Sequence, residues 1–161
     1  DLHVLATVKG QERPVFNQRE IDHMVDVKNL YLGARTVGYT ALGAGITWFA
    51  GMLFFAKASR RKVLSGYLHA NWVFLSVVCA IGLFAALDFN TFWTNFHHIF
   101  FTNDLWLLDP RTDILIMMVP SQFFFDLVMR IVLWSLGSLA VLAAASARWN
   151  QKLKKQENHG I

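Results

Sequence analysis

Cysteine is almost missing from this chain, since Cys79 is the only one among 161 residues and lies within an apolar run. A single thiol cannot build a disulfide framework, and the sequence has no cysteine pair for a zinc site. The histidines lack the HExxH spacing of a helical zinc site, and no GxSxG nucleophile elbow is present. We therefore expect no metal and no cofactor in this protein.

Charged residues are also few, and hydrophobic residues are abundant. Asp, Glu, Lys and Arg make up 16% of the chain, whereas 55% of the residues are hydrophobic and 14 are phenylalanine. This composition is beyond that of an ordinary soluble domain and indicates a membrane protein. The formal net charge of +4 lies in short clusters, which we interpret as a signal of topology rather than of nucleic-acid binding. The predicted class is an all-α integral membrane protein with one membrane domain over 1–161.

Three apolar runs approach or exceed the roughly 20 helical residues that cross the hydrocarbon of a bilayer. They predict transmembrane helices at 39–56, 64–87 and 122–147. The loop 57–63 and the tail 148–161 are basic, so the positive-inside rule places both in the cytoplasm. The predicted fold is a bundle of these three helices.

The same rule places the segments 1–37 and 88–121 on the outer side of the membrane. An outer N-terminal portion needs a span or signal to carry it across, and none precedes residue 39. We therefore expect the natural protein to have a further N-terminal transmembrane helix or signal that is missing from this sequence. The alternative is a short N-terminus that is translocated unaided.

An amphipathic helix is predicted in the first outer segment, directly after Asn17. Asn17 and Glu20 have the spacing of a capping box, in which each side chain accepts a hydrogen bond from the backbone N–H of the other residue. At about 100° per residue, His23 falls at the edge of the apolar face of this helix. Asp26 lies one turn further along and is expected to reach the His23 ring.

The second outer segment contains an aromatic stretch, Phe89–Asp113, with the sequence FNTFWTNFHHIFFTNDLWLLDPRTD. Because Asn, His and Asp interrupt it, we predict that it lies at the membrane surface, with a helix near Thr91–Phe101. On this helix His97 lies inside the apolar arc, whereas His98 points the other way. Burial of His97 would favour its neutral form and suit a general base. The alternative is an interfacial histidine without a role.

Polar residues follow these histidines closely, at Asn103, Asp104, Asp109 and Asp113. Asp109 precedes a proline and suggests the start of a turn, and Asp113 suggests a helix cap. One of these carboxylates could instead orient a histidine, and the sequence does not choose between the two roles.

Two ionisable residues, Asp126 and Arg130, are four positions apart in the outer part of the last predicted span. Ionisable groups at that depth are costly and are usually paired or functional. Two interpretations remain open: a structural ion pair, or an Arg130 that holds a lipid phosphate or carbonyl.

Two long sequence blocks carry a family resemblance. One is H-M-x-D-V-K, which begins at His23, and the other is F-H-x-I-F-F-x-N-D-x-W-x-x-D-P, which begins at Phe96. With the spans between them, they make Phe16–Asp126 resemble the lipoprotein intramolecular transacylase (Lit) family of Gram-positive bacteria. The resemblance implies a cell-membrane protein with four transmembrane helices and an active site facing outside, although only three spans are visible here.

The resemblance also implies a reaction, which makes the protein an acyltransferase. The sn-2 acyl chain of a diacylglyceryl lipoprotein moves to the α-amine of its N-terminal cysteine and gives the lyso form of the lipoprotein. The histidine pair of the family falls on His23 and His97, and His98 takes a variable position. We expect His97 to be the base at the amine and His23 to be the acid at the departing glycerol oxygen.

The residues expected to support this pair, as orienting groups, oxyanion donors or structural carboxylates, are Asp26, Asn103, Asp104, Trp106, Asp109 and Arg130. Asp26 is predicted to orient His23. The oxyanion that forms during acyl transfer needs a donor, for which Asn103, Trp106, Arg130 or backbone amides are the candidates.

Expected partners are diacylglyceryl lipoproteins and membrane lipids, without nucleic acid, and the protein is expected to act as a monomer. Other classes remain as alternatives. A non-catalytic membrane scaffold would respond to histidine substitutions only through its stability, and a lipid- or quinone-binding accessory subunit would purify with a redox cofactor. A transporter needs a polar pathway through the membrane, and Asp126 with Arg130 offers few polar groups for one.

Overall fold

The computed structural model describes residues 3–8, 10–54 and 60–159 of the chain. A short hairpin precedes five helices, in the order β1 (Leu5–Val8), β2 (Gln11–Pro14), α1 (Gln18–Phe54), α2 (Arg60–Leu87), α3 (Phe89–Phe100), α4 (Ile114–Met118) and α5 (Ser121–His159). Helix dominates the described residues, which confirms the predicted all-α class. The hairpin is an addition that the sequence did not predict.

The hairpin pairs β1 and β2 in antiparallel register, from Leu5 opposite Pro14 to Val8 opposite Gln11. Gly10 lies in its turn with φ of +79°, a left-handed conformation that glycine adopts without a steric penalty. A further backbone bond, from the Val15 N–H to the Val4 carbonyl at 2.9 Å, extends the pairing toward α1.

The predicted capping box at the start of α1 is confirmed. The backbone N–H of Asn17 donates to Glu20 Oε2 at 2.7 Å, and the backbone N–H of Glu20 donates to Asn17 Oδ1 at 3.0 Å. The helix then runs without interruption to Phe54, so the amphipathic helix and the described part of the first predicted span belong to one element. No proline occurs in this stretch to stop it.

Two compact units make up the chain. The first comprises 1–39 and 88–126, and the second comprises 40–87 and 127–161. Among its described residues the first unit buries Phe16, Glu20, His23, His97, Phe101 and Asp113. Four of these six side chains are ionisable, which is unusual because such groups are rarely buried without partners. The buried ionisable side chains make this unit the candidate location of a functional site.

The second unit contains long apolar helices in close contact. Within the described part, its buried residues are Leu64, Asn71, Gly82, Ala85, Val132 and Ala143. A Cβ atom added to Gly82 of α2 would lie 2.6 Å from Cγ1 of Val132 on α5, so the glycine permits this close approach of the two helices.

Two stretches of the described helices are long and apolar enough to cross a membrane, Arg61–Leu87 and Ser121–Gln156. Only 17% and 11% of their most apolar windows are buried within the chain, so their apolar surfaces are available to lipid. They contain the second and third predicted spans. The first predicted span, 39–56, falls on the end of α1 and on two residues outside the described part, and it stays a prediction. Of the predicted basic loop 57–63, residues 57–59 lie outside the described part as well.

Candidate active site

The first unit brings His23 of α1 and His97 of α3 together. Their ring centroids are 6.0 Å apart, and each histidine is only 7% exposed. The Phe101 ring contacts both of them, at 5.4 Å from His23 and 5.6 Å from His97. Two residues that are distant in sequence therefore share one buried pocket of imidazole and aromatic rings.

Helix α3 positions His97, and a side-chain cap fixes where this helix begins. Asp88 accepts hydrogen bonds from the backbone N–H of Thr91 at 3.0 Å and from its hydroxyl at 2.6 Å. Both bonds lower the pKa of Asp88 below its usual value, and the bond from the Thr91 hydroxyl has the larger effect. The predicted contrast between the two neighbouring histidines is confirmed, because His97 is buried and His98 is exposed.

Aromatic rings enclose one side of His97. Trp93 meets the His97 ring edge to face at a centroid distance of 4.8 Å. Trp93 also stacks on Phe96 at 5.2 Å and on Phe124 at 4.7 Å, and it lies 5.6 Å from Phe89. We call these four residues, Phe89, Trp93, Phe96 and Phe124, the aromatic wall.

A single hydrogen bond fixes the tautomer of neutral His97. Its Nδ1 lies 2.7 Å from the backbone carbonyl oxygen of Trp93. A carbonyl oxygen only accepts, so Nδ1 carries the hydrogen and Nε2 keeps a free lone pair. Burial lowers the pKa of His97, against the opposing effect of the Trp93 carbonyl, and the charge of His98 lowers it further. His97 is thus a neutral ring whose Nε2 can take a proton.

His23 has no such anchor. Its Nδ1 is buried and has no hydrogen-bond partner among the described residues. Burial is the largest cause that lowers the pKa of His23, followed by the charge of His97, while Asp26 opposes both. Because a charge on His97 disfavours a charge on His23, the pair favours holding at most one proton.

Asp26 acts on His23 through its charge, and its hydrogen bond goes elsewhere. Asp26 Oδ2 accepts from the Nδ2 group of Asn103 at 2.8 Å. The expected contact between the carboxylate and the His23 ring is absent among the hydrogen bonds of the described residues. The amide of Asn103 approaches from the loop after α3 and occupies this carboxylate oxygen instead.

The loop after α3 places Trp106 against His97. The indole ring lies 4.8 Å from the His97 ring and 5.1 Å from the His98 ring. Its N–H donates to the backbone carbonyl of Asn103 at 3.0 Å, so Trp106 presents its ring rather than its donor to His97. Arg19 of α1 holds the same loop, because its guanidinium donates to the backbone carbonyl of Asp104 at 2.8 Å.

Asp109 and Asp113 shape the turn that leads into α4. Arg111 donates to Asp109 through its backbone N–H at 2.9 Å and through its guanidinium at 2.7 Å, and the guanidinium contact is the largest cause that lowers the pKa of Asp109. Asp113 accepts from the backbone N–H of Asp109 at 2.7 Å, which is the main cause of its lowered pKa. The turn predicted at Asp109 is confirmed.

Glu20 has a larger role than the sequence indicated. Besides closing the capping box, its Oε1 accepts from the backbone N–H of Leu115 at 2.6 Å. Asp113 occupies the N-cap position of α4, but its side chain makes no capping hydrogen bond there. Glu20 therefore supplies the capping bond, through the Leu115 N–H. Asn17 adds a bond from its Nδ2 to Asp113 Oδ1 at 2.8 Å. Only the capping-box spacing could have drawn attention to this buried junction, and it gave no hint of α4.

A cavity of about 220 Å³ is lined in part by Phe101, the ring that contacts both His23 and His97. Its polar lining comes from Asp26, Asn29, Thr102 and Asn103, and its apolar lining includes Leu30 and Phe101. Within the described residues, no group of three or more His, Cys, Asp or Glu side chains is placed to hold a metal ion. Arg130 belongs to the second unit, and its role as an oxyanion donor stays a prediction.

Comparisons with known proteins give a consistent result. A family model described as lipoprotein intramolecular transacylase Lit matches residues 4–124. Among solved structures, the membrane integral lipoprotein intramolecular transacylase Lit from Bacillus cereus is similar, with a TM-score of 0.73 and 28% sequence identity. The similarity covers 88% of this chain and 62% of that chain, so this chain spans less than two thirds of its solved relative. No curated protein sequence matches.

Proposed function

The chain belongs to the lipoprotein intramolecular transacylase Lit family, and from that premise we propose that it moves the sn-2 acyl chain of a diacylglyceryl lipoprotein to the α-amine of its N-terminal cysteine. The observation that carries this proposal is the buried contact between His23 and His97, two groups able to move protons at neutral pH. The product is the lyso form of the lipoprotein, with one acyl chain on nitrogen and one on glycerol.

Little binding of a second reactant is needed for this transfer. The amine and the ester belong to one molecule, so holding them at attack distance gives a high effective molarity. The aromatic wall offers an apolar surface on which the acyl chains can rest while the polar groups meet the histidines. Both histidines come from the same chain, which supports a monomer as the active form.

The main task of the site is then to transfer protons. The α-ammonium first gives a proton to Nε2 of His97, and the free amine attacks the ester carbonyl carbon to form the new C–N bond. The nitrogen loses a second proton as the bond from the carbonyl carbon to the sn-2 oxygen breaks. One of the two protons passes through the histidine pair to the departing glycerol oxygen, and the other is released.

The two histidines differ in a way that supports separate roles. His97 has its Nε2 lone pair fixed by the Trp93 bond, which suits the base. His23 is the ring whose charged form Asp26 stabilises, which suits the acid at the glycerol oxygen. Each role is typically worth about 10² to 10⁴ in rate.

The oxyanion of the tetrahedral intermediate needs a donor. The Trp106 N–H is already bonded to the Asn103 carbonyl, so we assign Trp106 the task of covering His97 with its ring. The Nδ2 group of Asn103 has two hydrogens and gives one to Asp26, which leaves the second for the oxyanion. Arg130 and backbone amides are the other candidate donors. We place the active site on the outer side of the membrane because the tail after the last span is basic.

The test is acyl migration in a cell membrane. The full-length protein is co-expressed with a diacylglyceryl lipoprotein in a host without N-acyltransferase, and an N-terminal peptide is fragmented in a mass spectrometer. Fragment ions are required because the reaction conserves mass. The wild type should place one acyl chain on the cysteine nitrogen, and His23→Ala or His97→Ala should each remove that product.

His98→Ala is the matched control, because His98 neighbours His97 but is exposed. It should retain most of the activity. Equal loss in all three variants, or loss in none, would contradict the assignment of the pair. Both acyl chains remaining on glycerol in the presence of wild-type protein would contradict the reaction itself.

A further inference from the structure

The proposed substrate has three arms, two acyl chains and one polypeptide, and the histidine pair has two different surroundings. Trp93 of the aromatic wall contacts His97 directly, and Phe101 contacts both histidines. Phe101 also lines the polar cavity described above, so this cavity is one side chain away from the reacting groups. Acyl chains suit the aromatic wall, and the polypeptide is the arm that suits a polar cavity.

The cavity is built for a small polar occupant. Its volume of about 220 Å³ is below the range of roughly 300–1,000 Å³ typical of pockets that enclose a drug-sized ligand. Asn29 and Thr102 each carry both a donor and an acceptor, which is what the N–H and C=O groups of a peptide require. A lipid chain would leave these groups unpaired, at a cost.

Asp26 gives the cavity its charge. It is the only charged residue that lines the cavity among the described residues. Asp26 Oδ2 is bonded to Asn103, and Oδ1 makes no hydrogen bond within the described residues, so one carboxylate oxygen is available to an occupant. A half-buried carboxylate with a free oxygen favours a cation and disfavours an anion.

We propose that this cavity binds the polypeptide that follows the modified cysteine, and that Asp26 selects for positive and against negative charge on its first residue. The inference rests on the proposed function, since it names the part of the substrate that enters this cavity. It adds a specificity-determining residue to a reaction that otherwise depends on the lipid and the amine.

A competition experiment tests the selection. Two synthetic diacylglyceryl lipopeptides, identical except for lysine or glutamate directly after the cysteine, are mixed with purified full-length protein at low ionic strength. Fragment ions then report the N-acylated product of each. An attraction of about threefold for lysine and a repulsion of about threefold for glutamate, both typical of partly exposed charge pairs, multiply to roughly a tenfold preference for the lysine peptide. The preference should weaken above about 0.1 M salt, where charges are screened beyond about 10 Å.

Asp26 variants should change the ratio of the two products. Asp26→Asn keeps an acceptor for Asn103 but has no charge, so the preference should disappear, and Asp26→Lys should invert it. Asn29→Asp adds a second carboxylate to the cavity lining and should increase the preference. Because the ratio compares two substrates on one enzyme, a general loss of rate through His23 cancels.

The control is Asp22→Asn, one turn before Asp26 on α1, where the carboxylate is exposed and bonded to Gln18 at 2.8 Å. It should keep the wild-type ratio. Equal conversion of both peptides by the wild type, or an unchanged preference in Asp26→Asn, would overturn the inference and leave the proposed function standing. No N-acylated product from either peptide would overturn the proposed function, and the inference with it.

Discussion

Replacement of Glu20 tests how far the structure around the histidines depends on one buried carboxylate. Glu20 is 1% exposed and accepts backbone hydrogen bonds from Asn17 at 2.7 Å and from Leu115 at 2.6 Å. Hydrogen bonds to a charged group contribute about 1.5–3 kcal/mol each. Glu20→Ala removes both and leaves two N–H groups without acceptors, so the free energy of unfolding should fall by about 3–6 kcal/mol. That is a large share of the roughly 5–15 kcal/mol that stabilises a typical domain.

Glu20→Gln separates the lost charge from the lost volume. The glutamine amide has nearly the same shape but one acceptor oxygen, so it can accept from only one of the two N–H groups and points its NH₂ at the other. Its cost should be about half that of the alanine variant, roughly 1.5–3 kcal/mol. Gln18→Ala is the control, since its bond to Asp22 is exposed and its loss should change the free energy by no more than about 0.5 kcal/mol.

Hydrogen exchange of the detergent-solubilised protein is the most direct assay. A loss of about 1.5–3 kcal/mol at this junction should speed exchange of the Leu115 amide by roughly tenfold or more, while peptides from α2 in the second unit serve as an internal reference. Denaturant unfolding followed by tryptophan fluorescence gives the global value. If the glutamine variant matches the wild type, or costs as much as alanine, the two hydrogen bonds do not act as described.

Two further predictions concern the histidine pair and the second unit. The profile of kcat/KM against pH should be bell-shaped, because the histidine pair must be neutral to accept the proton of the ammonium group. The acid limb should lie below pH 6.5, since burial is the largest cause that lowers the pKa of both His23 and His97. The alkaline limb should lie near the α-ammonium pKa of roughly 8, and an acid limb above 6.5 in a steady-state assay would argue against buried histidines. Gly82→Ala should destabilise the protein by about 1–3 kcal/mol, because the added Cβ would lie 2.6 Å from Cγ1 of Val132. Combining it with Val132→Ala in the same chain should relieve part of that cost. A double-mutant cycle measured by thermal unfolding tests this coupling.

Local sequence patterns predicted the local parts of the site. The capping-box spacing placed the start of α1 after Asn17, and the helical period placed His97 inward and His98 outward on α3. These features depend on residues within a turn or two of each other, so periodicity and capping rules reach them. The length of the apolar runs likewise predicted spans at 64–87 and 122–147, which lie within the two helical stretches that are long and apolar enough to cross a membrane.

The contacts that assemble the site join residues far apart in the chain. Glu20 binds Leu115 and Asp26 binds Asn103, across 95 and 77 positions. Such pairs leave no period in the sequence, so Asp26 was expected at the His23 ring, which is its near neighbour along the helix. The pairing of His23 with His97 was itself expected from the family resemblance and not from spacing. The hairpin before α1 was missed because each of its two strands has only four residues.

The distribution of carboxylates explains why the histidines stay available for chemistry. Glu20, Asp88 and Asp113 each accept backbone N–H bonds at turns and helix ends, away from the imidazole rings. The influences on the His97 pKa are burial, the Trp93 carbonyl and the charge of His98, with no carboxylate among them in the described structure. A carboxylate hydrogen-bonded to His97 would raise its pKa and favour the imidazolium, which cannot accept a proton from an ammonium group. Anchoring Nδ1 to a neutral carbonyl orients the ring, and the absence of a nearby carboxylate keeps Nε2 unprotonated, so that it is free to accept the proton of the ammonium group.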